Sequence, residues 1–301
     1  MAGVKVLDEL TDLSAKVILV TGATAGLGRQ TLLAFAAAGS PRLFFTGRSS
    51  ESAQKTVEAC KAVNKSVSVT FQKCDLTDLA AVKAAAKEII SQTDRLDVVF
   101  CNAGVMAIPA AVSKDGFEIQ FATNHLGHAM LVQQLLPVLE RTARLPNADV
   151  RVVFNTSQGY QFAYDIDYDT IRTKQEAYIL GAFKRYGQSK LANIFYPKEL
   201  ARRYPQITFV SIHPGVINSG LFSGLSTFNR YFTEATTFWK QVTIEEGVQN
   251  QLWAAAVPKT QISNGAYYEP VGQLGVLTAA GSNKEMATEL YEWTEKTLSD
   301  Y

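Results

Sequence analysis

VILVTGATAGLGRQTLLAFAAAG, residues 17–39, joins a strand-like run to a helix-like one through a glycine-rich turn. Val17 to Thr21 is apolar and β-branched, as a buried strand requires, and Leu27 to Ala38 is an alanine-rich helical stretch closed by Gly39. The turn reads T-G-x-x-x-G-x-G, with Gly22, Gly26 and Gly28 as its glycines and Thr24 between the first two. Glycine leaves no Cβ in the way of an approaching group. The N-terminus of the helix that follows presents free N–H groups and the positive end of its dipole to a phosphate. A glycine turn between a strand and a helix in this order is the opening of a βαβ phosphate-binding unit.

The alternation continues outward. Strands are expected at Leu43–Thr46, Val67–Lys73, Asp97–Cys101, Val150–Asn155, Ile207–His213 and, as an edge strand, Ala266–Pro270. Helices are expected at Ser52–Val63, Leu79–Ser91, Gly116–Thr142, Phe183–Arg203 and Thr243–Ala256, the last opened by Thr243 with Glu246 three residues on, a capping box. Ser282, with Glu285 three residues later, is expected to open a final amphipathic helix. The runs 17–21, 43–46 and 97–101 are apolar nearly throughout, as in central parallel strands covered on both faces. The expectation is an α/β fold: a single doubly wound Rossmann-type domain over 1–301, with a seven-stranded, mostly parallel sheet and helices on both faces. Two long aromatic-rich connections, near 158–182 and 218–242, read as substrate-side insertions.

Composition narrows the function classes. With 29 basic and 28 acidic residues the net charge is +1, which provides no field for nucleic acid or an anionic membrane. Residues 1–15 carry acids and no long apolar run, so no secretory signal is read there, and no stretch is apolar for long enough to suggest a membrane span. Cys60, Cys74 and Cys101 match no zinc or redox spacing and read as buried thiols in a reducing, cytoplasmic compartment. His125 and His128 are i, i+3 but lack a third ligand, so they and His213 read as core or interface histidines, and no metal site is expected.

The second strand ends Phe45-Thr46-Gly47-Arg48-Ser49, without the acid that usually takes the ribose hydroxyls of NAD. Arg48 can instead pair with a 2′-phosphate through its planar fork, so NADP(H) is the expected cofactor. In Tyr186-Gly187-Gln188-Ser189-Lys190 the phenol and the ammonium fall on one face of a helix, one turn apart. A nearby cation is expected to lower the phenol pKa toward the range useful for proton transfer. Ser157 ends the strand VVFNTS, where its hydroxyl can donate to a substrate carbonyl.

TGATAGLG, Asn102-Ala103-Gly104, Ser157, YGQSK and His213-Pro214-Gly215 together resemble the short-chain dehydrogenase/reductase superfamily, in its motif order and from about residue 16 to 270. Phe121-Ala122-Thr123-Asn124-His125-Leu126-Gly127-His128 further resembles its retinol-dehydrogenase-like branch, which includes many fungal tailoring reductases. The resemblance implies Tyr186 as general acid in reduction, Lys190 on the nicotinamide ribose, Ser157 on the carbonyl, and Asn124 holding a water in a proton relay to Lys190. Gly22, Thr24, Gly26, Leu27 and Gly28 would cradle the dinucleotide. Asp75 and Leu76 would flank the adenine, although Asp75 with Thr77 also reads as a helix-entry turn. Asn102, Ala103 and Gly104 would line the cofactor, and Pro214, Gly215 and Val216 its nicotinamide end. Ser219 stands where the family often has threonine. Pro197 is expected to kink or break the helix after YGQSK, which in the family often packs in a dimer interface, so a homodimer is a possible state.

Tyr160, Phe162, Tyr164, Tyr168 and Tyr178, with Phe222, Phe228, Tyr231, Phe232, Phe238 and Trp239, are expected to give an apolar pocket for a small-molecule ketone. The leading function is hydride transfer between NADPH and a carbonyl or secondary alcohol. The alternatives are a non-redox isomerase, dehydratase or cyclase on the same scaffold, and a dinucleotide-sensing protein without catalysis.

Overall fold

The computed structural model describes residues 13–176, 180–217 and 241–301. Alternating strands and helices run β1 (Val17–Val20), α1 (Gly26–Ala37), β2 (Arg42–Gly47), α2 (Ser50–Val63), β3 (Ser68–Lys73), α3 (Leu79–Ser91) and β4 (Val98–Cys101). There follow α4 (Ile119–Phe121), a π-helical segment Ala122–Leu126, α5 (Gly127–Ala143), β5 (Arg151–Asn155), a 3-10 turn Gln158–Phe162, α6 (Gly181–Arg203) and β6 (Thr208–Ile212). The chain continues through β7 (Val216–Ile217), β8 (Gln241–Val242), α7 (Ile244–Ala256), a short 3-10 turn Lys259–Gln261, β9 (Tyr267–Glu269), β10 (Gln273–Leu274), α8 (Ala279–Ser282) and α9 (Lys284–Leu298).

Among the described residues the main sheet has eight strands in the order β10-β9-β6-β5-β4-β1-β2-β3. All its pairings are parallel except β10 on β9. The expected edge strand is therefore an inner one, because the chain doubles back after Glu269 and Gln273 pairs with it. The central strands are apolar at consecutive positions because alternate side chains serve two cores. Leu19, Val99, Val152, Phe154 and Phe209 pack with α3, α5, α6 and α9 on one face. Ile18, Val20, Val98, Phe100, Val153 and Val210 pack with α1, α2 and α7 on the other.

Three expectations are corrected in detail. The helix expected from Gly116 begins at Ile119 and carries a π segment across Asn124. Pro197 does not break α6: its missing N–H would have bonded Asn193 O, and Ser211 Oγ from β6 donates to that carbonyl instead, at 2.8 Å. The final helix is capped by Asn283, whose side chain accepts from Met286 N at 3.0 Å, whereas Ser282 ends α8. The Thr243–Glu246 capping box is present as read.

α9 covers the flank of α6. Tyr291 stacks on Tyr196 with centroids 5.7 Å apart, and the Tyr196 hydroxyl donates to Glu295 at 2.9 Å. α9 thus covers this flank of α6 within the chain. Among the described residues no helix is long and apolar enough to cross a membrane.

The cap correction is directly measurable. Asn283→Ala should lower unfolding stability by about 1 kcal/mol in a urea titration, while Ser282→Ala should change it far less; equal losses would contradict the assignment.

Candidate active site

The carboxyl ends of β1, β4, β5 and β6 meet where the strand order reverses, the place at which open α/β sheets bind ligands. A cleft of about 810 Å³ opens there. Gly22, Thr24, Gly26, Leu27, Gly28, Arg48, Asp75 and Leu76 line one part of it, and Ser157, Tyr186, Lys190, Pro214, Gly215 and Val216 another, with Asn102, Ala103 and Gly104 between. Asn124 stands fully buried behind that wall, and Ser219 lies outside the described residues.

The glycine turn is shaped by close approach. Gly22 has φ +67°, and a Cβ on it would lie 2.8 Å from that of Ala103. A Cβ on Gly28 would collide with the Asn102 amide and with Gly22 O. α1 then starts at Gly26 with no side-chain cap and no acid in its first turn, so its leading N–H groups are open to an anion. Arg48 is exposed at the rim beside Gly47, and β2 ends without an acid. This donor set fits a dinucleotide. Asp75 Oδ1 accepts from Thr77 N at 3.0 Å and Thr77 Oγ1 at 2.8 Å, the helix-entry turn read in the sequence.

At the other end, Tyr186 sits on α6 and is held from below by the 3-10 turn. A Cβ at Gly159 would lie 2.8 Å from the Tyr186 ring, so a small residue there lets turn and ring touch. Ser157 Oγ accepts from Gly159 N at 3.1 Å, which fixes the hydroxyl at the strand end. Lys190 Nζ donates to Asn155 O at 3.0 Å and lies 5.5 Å from the centre of the Tyr186 ring. Thr156 Oγ1 donates to Lys190 O at 2.7 Å, locking the α6 backbone to β5.

The electrostatics reverse one expectation. Burial pushes the Tyr186 phenol up to about 12, with the Ser157 hydroxyl pulling the other way. Desolvation sets the direction at this phenol, with the ammonium 5.5 Å from the ring centre. Burial likewise lowers Lys190 to about 8.

Asn124 is a brace. Its Oδ1 accepts from Val105 N at 2.8 Å, and its Nδ2 donates to Val105 O and to Ser189 Oγ, both at 2.9 Å. Its main-chain carbonyl accepts from His128 Nδ1 at 2.9 Å and Asn193 Nδ2 at 3.0 Å. His125 and His128 are fully buried and held neutral, at about 3 and about 4, chiefly by desolvation. The three cysteines are buried.

Residues that the motifs did not single out complete the site. Asn155 O accepts from both Lys190 and Asn193. Gln120, fully buried beside the cleft, bridges Ala107 N, at 2.7 Å, and Ala182 O, at 3.0 Å. Arg185 Nε lies 3.3 Å from the buried Glu118 carboxylate. Asn155 was visible as the strand-end residue of VVFNTS; Gln120 and Glu118 gave no local signal, since only the fold brings them to α6. The expected aromatic lining is corrected: Tyr160 packs on Tyr267, Tyr168 packs on Trp293, and Phe162 and Tyr164 are exposed. Tyr178 and the rings from Phe222 to Trp239 lie outside the described residues. The apolar wall of the cleft comes instead from Met106, Ile108, Ile119, Val216 and Ile217.

Burying Lys190 has a sign that can be checked. Its pKa is lower folded, about 8, than the ordinary 10.5, so the folded state binds fewer protons between those values and stability rises with pH across that window. Below about pH 8 the buried charge costs about 3 kcal/mol. Lys190→Met leaves Asn155 O still bonded to Asn193. The variant should melt above wild type at pH 7, and the gap should narrow as pH rises from 8 to 10.5. A lower melting temperature for the variant at pH 7 would contradict this cost.

Residues 16–159 match the short chain dehydrogenase family model. The chain is 35% identical to an uncharacterised oxidoreductase of Schizosaccharomyces pombe, over 97% of this chain and 88% of that one. It is 31% identical to a short-chain dehydrogenase/reductase of Armillaria gallica (98% and 94% covered) and 31% identical to mouse retinol dehydrogenase 11 (93% and 85%). Among solved structures, an uncharacterised protein from Mycobacterium paratuberculosis superposes with TM-score 0.75 at 24% identity, covering 97% of each chain. An NADPH-dependent 3-quinuclidinone reductase from Rhodotorula rubra superposes with TM-score 0.67 at 19% identity, covering 90% of this chain and 95% of that one. With relatives of this similarity spanning nearly its whole length, the chain belongs to the short-chain dehydrogenase/reductase family, on its retinol-dehydrogenase-like and fungal reductase branch.

Proposed function

We propose that the chain is an NADPH-dependent oxidoreductase that moves a hydride between nicotinamide and a carbonyl or secondary-alcohol carbon of a largely apolar small molecule. The observation that carries this reading is the convergence of Ser157, Tyr186 and Lys190 on one end of a cleft whose other end is the glycine turn and Arg48.

The bound dinucleotide supplies the hydride. The residues handle the oxygen: Ser157 donates a hydrogen bond to the carbonyl, and Tyr186 delivers the proton as negative charge develops there. A phenol pushed up to about 12 is fully protonated at neutral pH, which suits the reductive direction. Lys190 faces the cleft from the turn after Tyr186 and binds the ribose hydroxyls. Asn124 keeps Val105, in the wall of the cofactor cleft, in place. Arg48 takes the 2′-phosphate, an assignment supported by the missing acid at the end of β2. The apolar wall from Met106 to Ile217 supports a hydrophobic substrate, as does similarity to an enzyme named for retinol. We read the chain as one catalytic unit acting in a reducing, cytoplasmic setting; any homodimer uses a surface other than the α6 flank that α9 covers.

Two measurements test the reading. Tyr186→Phe should bind NADPH as wild type does yet lose roughly 10²–10⁴-fold in turnover, and NADPH oxidised should equal alcohol formed; product without NADPH consumption would mean a non-redox enzyme. Arg48→Ala should lower the NADPH-over-NADH ratio of kcat/KM roughly 10- to 100-fold. A wild type that prefers NADH, or a ratio unmoved by the substitution, rejects the cofactor assignment. Efficient turnover of small hydrophilic sugars alone would reject the apolar substrate.

A further inference from the structure

Thr21 and Asn124 hold the backbone of the strand-end segment Asn102–Val105. Thr21 Oγ1 accepts from Asn102 N at 2.9 Å and Ala103 N at 3.0 Å. Asn124 brackets Val105, accepting from its N–H and donating to its carbonyl. His128 spans the two anchors: its Nε2 lies 2.8 Å from Thr21 Oγ1, and its Nδ1 lies 2.9 Å from Asn124 O.

These partners fix each proton. A carbonyl oxygen only accepts, so Nδ1 carries the hydrogen that bonds Asn124 O. Both acceptor directions of the Thr21 hydroxyl are taken by the two amides, so that oxygen must donate its own proton. The rival acceptor, Phe100 O, is farther at 3.2 Å and already takes Thr21 N at 2.9 Å. Nε2 is therefore the acceptor and the ring is neutral. Protonating it would aim a second N–H at an oxygen with no lone pair free. Desolvation and the nearby Lys190 act in the same direction.

We propose that His128, fixed as the neutral Nδ1–H tautomer, is a positioning residue that couples the cleft-lining segment Asn102–Val105 to the π-helical turn carrying Asn124. The proposal rests on the dinucleotide reading of the cleft. The linkage continues to the acid: Asn124 Nδ2 donates to Ser189 Oγ, which donates to Tyr186 O at 2.7 Å. A shift of the ring would move this wall of the cofactor cleft relative to the helix that bears Tyr186.

Nitrogen-15 NMR of the histidine rings in the folded wild-type protein at neutral pH tests the tautomer without any activity. Nδ1 protonated and Nε2 bare is expected; an Nε2–H ring or an imidazolium overturns the proposal. His128→Phe keeps the ring volume and removes both nitrogens. Its kcat should fall roughly 10- to 100-fold through misplacement of the reacting groups, with KM for the carbonyl substrate little changed. Thr21→Val should cause a similar loss and Thr21→Ser, which keeps the hydroxyl, should restore the rate. The Thr21→Val, His128→Phe double variant should be no slower than the slower single one. A folded His128→Phe protein with the wild-type rate, or losses that add, refutes the coupling. If His128→Phe fails to fold, the NMR result and the Thr21 pair decide. A wild type that turns over no NADPH would instead sink the proposed function, while the NMR measurement would still decide the tautomer.

Discussion

The ammonium of Lys190 lies buried against the carbonyl of Asn155, and the architecture around it exists to keep it there. A charged amine out of water is destabilising unless its surroundings over-determine its place. Thr156 bonds the Lys190 carbonyl, Asn193 shares the Asn155 oxygen, and Asn124 reaches Ser189 one residue before the lysine. Strand β5, helix α6 and the π segment are thereby fastened to each other at one corner. That corner faces the cleft, so the fastening that holds the charge also sets the geometry of the phenol a turn away.

The amino edge of the sheet is fastened in a different way. Asp97, fully buried, accepts from Val17 N at 2.9 Å and pairs with Arg95 at 2.8 Å. Arg151, also fully buried, donates to Asp149 and to the carbonyls of Ala254 and Val257 at the end of α7. These charges have opposite charges or helix-end carbonyls as partners, and they point away from the cleft. Paired charge at one edge holds the layers in register, and a weakly partnered amine at the other keeps its capacity to interact with whatever enters.

Much of this was legible in the residues, for identifiable reasons. Apolar runs such as VILV and VVFC suit strands covered on both faces, and T-G-x-x-x-G-x-G between a strand and a helix suits a turn of close approach, so sheet, helices and glycine cradle followed from local pattern. Ser157, Tyr186 and Lys190 were legible because strand end and helical turn are short-range facts. What escaped was set by tertiary contact. Ser211 rescues the carbonyl that Pro197 abandons from another element, so the helix persists through a residue that should interrupt it. The π segment moves Asn124 into contact with Val105, which no helical periodicity reveals. The phenol is raised because desolvation dominates there, and burial is not written in a spacing of four.

The way α9 lies along α6 places an order on assembly. Leu290 and Tyr291, which shield Tyr196 on α6, lie after β6, α7 and the two outer strands in chain order. Until α9 docks, that apolar flank of the helix bearing Tyr186 and Lys190 lacks its cover, so the docking of a late element completes the shielding of an earlier one.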